Sequence, residues 1–129
     1  DTQAFNGIMN AFRMPKKTKD EKKIREKTIL NATKNAIETP LLIMEKCSEL
    51  ITLIEDLVLY GNRNSASDTA VALENLYASA RGAYYNVKIN LDDINDKEYV
   101  KVTTFKAEKL LSCITSEYKR ILKIISSEL

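Results

Sequence analysis

Apolar residues recur every three or four positions along nearly the whole chain, which is the helical period. Ala4, Phe5, Ile8, Met9 and Phe12 predict a first helix ending near Arg13. It stops there because Met14 precedes Pro15, and a residue before proline avoids the helical region. Asp20 is placed to cap a second helix reaching Ile37. Thr39 and Pro40 then restart or kink the helix, with Thr39 at the cap and Pro40 at the first helical position. The next helix carries Ile43, Met44, Cys47, Leu50, Ile51, Ile54, Leu57 and Val58 on one wide face, and Gly61 is expected as its left-handed C-terminal cap. Residues 62–67 read as a short loop. Ser67 or Asp68 caps a helix to about Leu91, residues 92–95 form a turn, and Asp96 caps a last long helix. Tyr99, Val102, Phe105, Leu110, Ile114, Tyr118, Ile121 and Ile125 are expected to face inward from it. Short connections favour antiparallel neighbours, so the pattern predicts an all-α fold, an antiparallel multi-helix bundle.

The helix after residue 67 has an unusual surface. Asp68, Asn75, Ser79, Gly82, Asn86 and Asn90 fall within about 80° of one another on a helix turning roughly 100° per residue. Leu73, Leu76, Tyr77, Ala80, Ala83, Tyr84, Val87 and Leu91 fill another sector. Val71, Ala78, Tyr85 and Ile89 make a second apolar seam beyond the polar stripe, and Glu74, Arg81 and Lys88 keep to a separate line. A solvent face normally carries Lys and Glu, so a stripe of amides and small residues beside an apolar seam predicts a polar pocket wall or a close helix contact.

Composition narrows the choices. The chain has 129 residues, the size of one domain, and only three Gly and two Pro, too few for the turns of a β fold. Twenty Lys and Arg against 18 Asp and Glu give a net charge of +2, which makes no case for nucleic acid. No apolar run approaches the roughly 18 residues of a membrane span, and no secretory signal opens the chain. A cytoplasmic protein is expected. Phe5 and its neighbours already follow helical spacing where the sequence starts, at Asp1 rather than Met, so a further segment upstream is expected.

The chain has no His. That argues against a zinc site or a His-based triad and leaves carboxylates, Lys, Tyr or Cys for proton transfer. Cys47 and Cys113 sit in apolar helical runs and read as reduced packing residues, with a disulfide or reactive thiol as the lesser reading. Asp68 reads either as a cap or, with Asn62, Asn64 and Ser67, as part of a polar pocket at a helix N-terminus. Asn86 and Asn90 read either as partners in interhelical hydrogen bonds or as pocket lining. Lys16, Lys17, Lys19, Lys22, Lys23 and Arg25 form a solvated face or a landing patch for a polyanionic tail. Spacing says nothing of Asp1, because nothing precedes it.

Several motifs occur in a fixed order: Asp1-x-x-Ala4-Phe5, Phe12-Arg13-Met14-Pro15-Lys16, Thr39-Pro40-Leu41, Gly61-Asn62-x-Asn64-x-x-Ser67-Asp68 and Asn86-Val87-x-Ile89-Asn90-Leu91. Together they resemble the formiminotransferase-cyclodeaminase family over essentially the whole chain. The resemblance implies an all-α homodimer, a tetrahydrofolate substrate and no metal. It implies either closure of 5-formiminotetrahydrofolate to 5,10-methenyltetrahydrofolate with loss of ammonia, or opening of the methenyl ring to 10-formyltetrahydrofolate. It makes Asp1 the catalytic carboxylate. The resemblance implies a Pro- and Gly-rich N-terminal segment and a helix ahead of Asp1, as part of the further upstream segment expected. Asn62, Asn64, Ser67, Asp68, Asn86 and Asn90 are the expected substrate-binding residues, and a non-catalytic helical dimerisation or scaffold module is the rival expectation.

Overall fold

The computed structural model describes residues 2–129, so Asp1 lies outside the described residues. Four helices follow one another, α1 (Thr2–Phe12), α2 (Lys19–Tyr60), α3 (Ala66–Leu91) and α4 (Lys97–Ser126), with a 3₁₀ turn at Arg63–Ser65 before α3. Helices α2, α3 and α4 pack on one another, and α1 lies on α2. Cross-helix contacts give the directions. The Cys47 thiol reaches the Leu76 carbonyl, while Ala36 and Asn90 share a cleft, so α2 and α3 are antiparallel. Lys34–Asp96, Lys106–Glu45 and Arg120–Glu55 pairs advance together, so α2 and α4 run parallel.

The core is divided along the bundle. Near the end of α2, Cys47, Ile51, Ile54, Leu73, Leu76, Ala80, Ile114, Ile121 and Ile125 are buried together. Toward the other end, Ile37, Met44, Ala83, Val87, Leu91, Ile94 and Ala107 form a second cluster. Each large aliphatic side chain fully removed from water contributes about 1.5–3 kcal/mol, so this stripe, rather than helix propensity, holds the long helices in place.

Where expectation and structure differ, the local physics is identifiable. α2 starts after Thr18, not Asp20: Glu21 N–H donates to Thr18 Oγ1 at 3.1 Å, and Thr18 N–H donates back to Glu21 Oε2. This reciprocal capping box satisfies two orphan donors at once, which a lone Asp cannot. Pro40 neither starts nor ends a helix, since α2 runs through it for 42 residues. Gly61 has φ −79° and ψ −179°, extended rather than left-handed, because the chain leaves α2 straight into the 3₁₀ turn. Glycine is needed there for another reason: a Cβ would sit 2.2 Å from the Leu57 carbonyl oxygen.

The same 3₁₀ turn feeds α3 directly, so Ser67 and Asp68 lie inside its first turn and Ser65 takes the cap position without a side-chain bond. Asp96 does cap α4, accepting from Tyr99 N–H at 3.1 Å. Ile43, Leu50, Leu57, Val102 and Phe105 are exposed, not inward, because each helix meets its neighbours along a narrower stripe than its apolar residues span. Cys113 is exposed too, whereas Cys47 is buried, and both are free thiols. Burial pushes the Cys47 thiol pKa up. Among the described residues no helix is long and apolar enough to cross a membrane.

Candidate functional site

The expected site residues lie at two ends of α3. Asp68 and Asn90 are about 22 residues apart, hence roughly 33 Å along the axis at about 1.5 Å per residue. No single pterin ring touches both ends of one helix.

At the first end, Asn62 caps the 3₁₀ turn, its Oδ1 accepting from Asn64 N–H at 3.0 Å. Asn62, Asn64, Ser67 and Asp68 are all exposed. Asn62 borders a narrow crevice with Leu57, Gly61, Arg63 and Ile125. The cluster therefore satisfies the chain's own turn and lies open to solvent.

At the other end, a cleft of about 350 Å³ is lined by Thr2, Phe5 and Ile8 of α1, Ala36 of α2 and Asn90 of α3. The lining follows from how α1 is held. Ala11 is buried against the bundle, and Arg25 donates through Nε and Nη2 to the Phe12 carbonyl at 3.2 Å, with its guanidinium over the Phe12 ring. Arg25 thus ties α1 to α2 rather than joining a free basic patch.

Asn90 is half-buried, and its Nδ2 donates to the Asn86 carbonyl at 2.8 Å. That bond consumes one amide donor and leaves Oδ1 as an acceptor. Ser79 likewise donates to the Asn75 carbonyl. Among the described residues the stripe makes no interhelical hydrogen bond, and Asn86 is exposed. Within one chain the stripe bonds its own helix, through Asn90 to Asn86 and Ser79 to Asn75.

Ala36 is a lining residue that apolar periodicity does not single out. The signal was nevertheless in the sequence: Pro40 stands four residues later and has no N–H to give the Ala36 carbonyl.

A second cleft, of about 430 Å³, brings Lys23 and Lys27 together with Glu26, Asp93, Ile29, Leu30 and Asn95. Its two cations are matched by two carboxylates, so it concentrates no net positive charge. Lys16, Lys17, Lys19 and Lys22 are solvent-exposed.

The comparisons with known proteins agree with this architecture. The family model described as Formiminotransferase-cyclodeaminase matches residues 1–109. The chain is 34% identical to a methenyltetrahydrofolate cyclohydrolase of Methylorubrum extorquens, over 99% of this chain and 62% of that protein. It is also 34% identical to the formimidoyltransferase-cyclodeaminase of Gallus gallus, over 86% of this chain and 20% of that protein. The crystal structure of a formiminotetrahydrofolate cyclodeaminase from Thermotoga maritima superposes with a TM-score of 0.82 at 28% identity, over 97% of this chain and 58% of that one. The chain thus spans about three fifths of the bacterial proteins and one fifth of the avian one. On the family match, the chain belongs to the formiminotransferase-cyclodeaminase family.

Proposed function

We propose that the chain is one helical domain of a cytoplasmic folate one-carbon enzyme, and that it acts as a formiminotetrahydrofolate cyclodeaminase with the cleft between α1, α2 and α3 as its substrate site. The observation that carries this reading is the cleft itself. It has apolar walls from Phe5 and Ile8, a polar acceptor from Asn90, and a rim at Thr2, the residue that follows Asp1 in the sequence.

In the reaction, N10 attacks the carbon of the 5-formimino group in its protonated, amidinium form and gives up its proton. The C–N bond to the former imine nitrogen then breaks, and that nitrogen leaves as ammonia after gaining a proton. A single positioned carboxylate can take the first proton and return it to the leaving nitrogen. The resemblance to the family assigns that role to Asp1, in a chain that has no His. Methenyltetrahydrofolate hydrolysis is the second reading, favoured by the name of the Methylorubrum relative. There the same carboxylate would take a proton from the attacking water.

The protein is proposed to work as a homodimer, without a metal, nucleic acid or membrane partner. Val71, Tyr85 and Ile89 on α3, with Ile43, Leu50 and Leu57 on α2, leave an apolar surface open for the second copy. If two α3 helices pair antiparallel about Ala78 and Ser79, Ser67 and Asp68 of one copy lie near Asn90 of the other. Both ends of the stripe would then serve one site.

The test follows absorbance of the methenyl group. Catalysed appearance from 5-formiminotetrahydrofolate identifies the cyclodeaminase, and catalysed decay of methenyltetrahydrofolate alone identifies the cyclohydrolase. Silence in both assays, from folded protein carrying any natural upstream segment, returns the chain to the scaffold reading.

A further inference from the structure

We infer that the backbone carbonyl of Ala36, stripped of its helical donor by Pro40, is a substrate-binding acceptor, and that with Asn90 Oδ1 it holds the donor edge of the pterin ring. The inference rests on the folate reading above and specifies which ring edge enters the cleft.

The first support is the position of Pro40. It is buried within the continuous helix α2. A proline in a helix interior removes the hydrogen bond to residue i−4 and crowds that carbonyl, here Ala36. Helices usually end at such a residue. α2 instead continues, because Ile37, Met44 and Cys47 on either side are locked into the core.

The second support is where the freed carbonyl lies. Ala36 is only 7% exposed, so bulk water has little access to its backbone. A buried carbonyl without a donor is costly, and nearly all such groups in folded proteins find a partner. The residue also lines the cleft, together with Asn90. The partner is therefore expected from the cleft side, as a water that a ligand displaces or as the ligand itself.

The third support is the chemical sense of the lining. Asn90 spends one of its two amide N–H groups on the Asn86 carbonyl, and its Oδ1 remains an acceptor. Ala36 offers only an acceptor. Phe5 and Ile8 offer apolar surface, and Thr2 a hydroxyl. Two acceptors between apolar walls complement a flat heterocycle with adjacent N–H donors. The 2-amino-4-oxo ring of a reduced folate has such an edge, in its 2-amino group and N3–H. An oxo edge would meet acceptors and be rejected. Pro40 is then a positioning residue, acting through Ala36.

The probe is 5-formyltetrahydrofolate, titrated calorimetrically against the wild-type protein and Pro40→Ala, with its 2-desamino analogue in parallel. Pro40→Ala restores an N–H to the Ala36 carbonyl, so it should raise the thermal midpoint while weakening 5-formyltetrahydrofolate about tenfold. The analogue should bind the wild type weakly and scarcely distinguish the two proteins. A purely structural role for Pro40 would weaken both probes alike, and that result overturns the inference, as does unchanged affinity for 5-formyltetrahydrofolate.

Carbonyl-¹³C NMR of the wild-type protein supplies a check that needs no substitution. The Ala36 carbonyl resonance should shift on adding 5-formyltetrahydrofolate and not on adding p-aminobenzoylglutamate. A wild-type protein that binds neither folate probe overturns the folate reading and this inference together. Tight binding with an unmoved Ala36 resonance overturns this inference alone.

Discussion

The two ends of the bundle treat their polar groups in opposite ways. Where α2 ends and α3 begins, the polar side chains that bridge helices are spent on one another, while Asn62, Asn64, Ser67 and Asp68 lie open to solvent. Arg120 makes a bidentate pair with Glu55 at 2.6 and 2.7 Å and also meets Glu117. Tyr77 and Tyr118 stack with centroids 4.0 Å apart, and the Tyr118 hydroxyl donates to Glu74. These bonds hold the Glu55 carboxyl below its usual pKa and push the Tyr118 hydroxyl above its own. At the opposite end, Pro40 frees a carbonyl, Asn90 keeps an acceptor, and α1 leans over both without closing the space between. The first end commits its bridging polar groups to packing, and the other, beside its Lys34–Asp96 pair, holds hydrogen-bonding capacity in reserve. Reserve of that kind is what a ligand site requires, because each unmade bond in the free protein is available to the substrate.

Substitutions can separate the two. The largest effect on stability is expected at the packed end. Ile121 is fully buried, and Ile121→Ala should cost about 2–5 kcal/mol in urea unfolding while folate affinity of the remaining folded protein holds. Asn90→Leu should do the reverse, lowering affinity for 5-formyltetrahydrofolate about tenfold or more with stability changed by no more than about 1 kcal/mol. If both substitutions acted on stability alone, the contrast between the ends would collapse.

Helix existence was legible in the sequence, and so was the Asp96 cap, because both depend on local spacing. Two features depended on more than spacing. Leu50, Leu57, Val102 and Phe105 fit the apolar period, yet periodicity carries no information about how wide a stripe the neighbouring helices cover. Pro40 read as a restart or a kink because its local cost is large; α2 is not interrupted there, because burial on both sides outweighs that cost. The site was half legible for a related reason. A helical wheel grouped Asp68 with Asn90 by angle, while the roughly 33 Å of helix between them appears only when axial rise is counted. Asn90 joined a cleft because α1 and Ala36 converge on it, and those long-range contacts leave no mark in the spacing of the stripe.

A smaller effect concerns pH at the cleft-bearing end. Hydrogen bonding from Lys34 first, then from Tyr99 N–H, holds the Asp96 carboxyl below its ordinary value of 3.8. A depressed folded pKa means that the ionised form stabilises the fold, fully above the unfolded value, with the contribution lost as pH falls through the folded one. Thermal midpoints recorded from pH 6 down to pH 2 should therefore drop less steeply below about pH 4 in Asp96→Asn, which keeps the cap but not the charge. Equal slopes would mean that the Lys34 pair has no part in acid sensitivity. The smallest effect is expected from Lys23→Gln with Lys27→Gln. Their cleft also holds Glu26 and Asp93, so affinity for a monoglutamate folate should change less than about threefold. A much larger loss that vanishes at high salt would restore the basic run as a docking patch for an anionic tail.

A crystal structure of the protein with 5-formyltetrahydrofolate tests the cleft between α1, α2 and α3 most directly as the substrate site. The pterin is predicted between Phe5 and Ile8, with its donor edge on Asn90 Oδ1 and the Ala36 carbonyl. A pterin seated on Asn62, Asn64, Ser67 and Asp68 of the same subunit, away from Asn90, would contradict it.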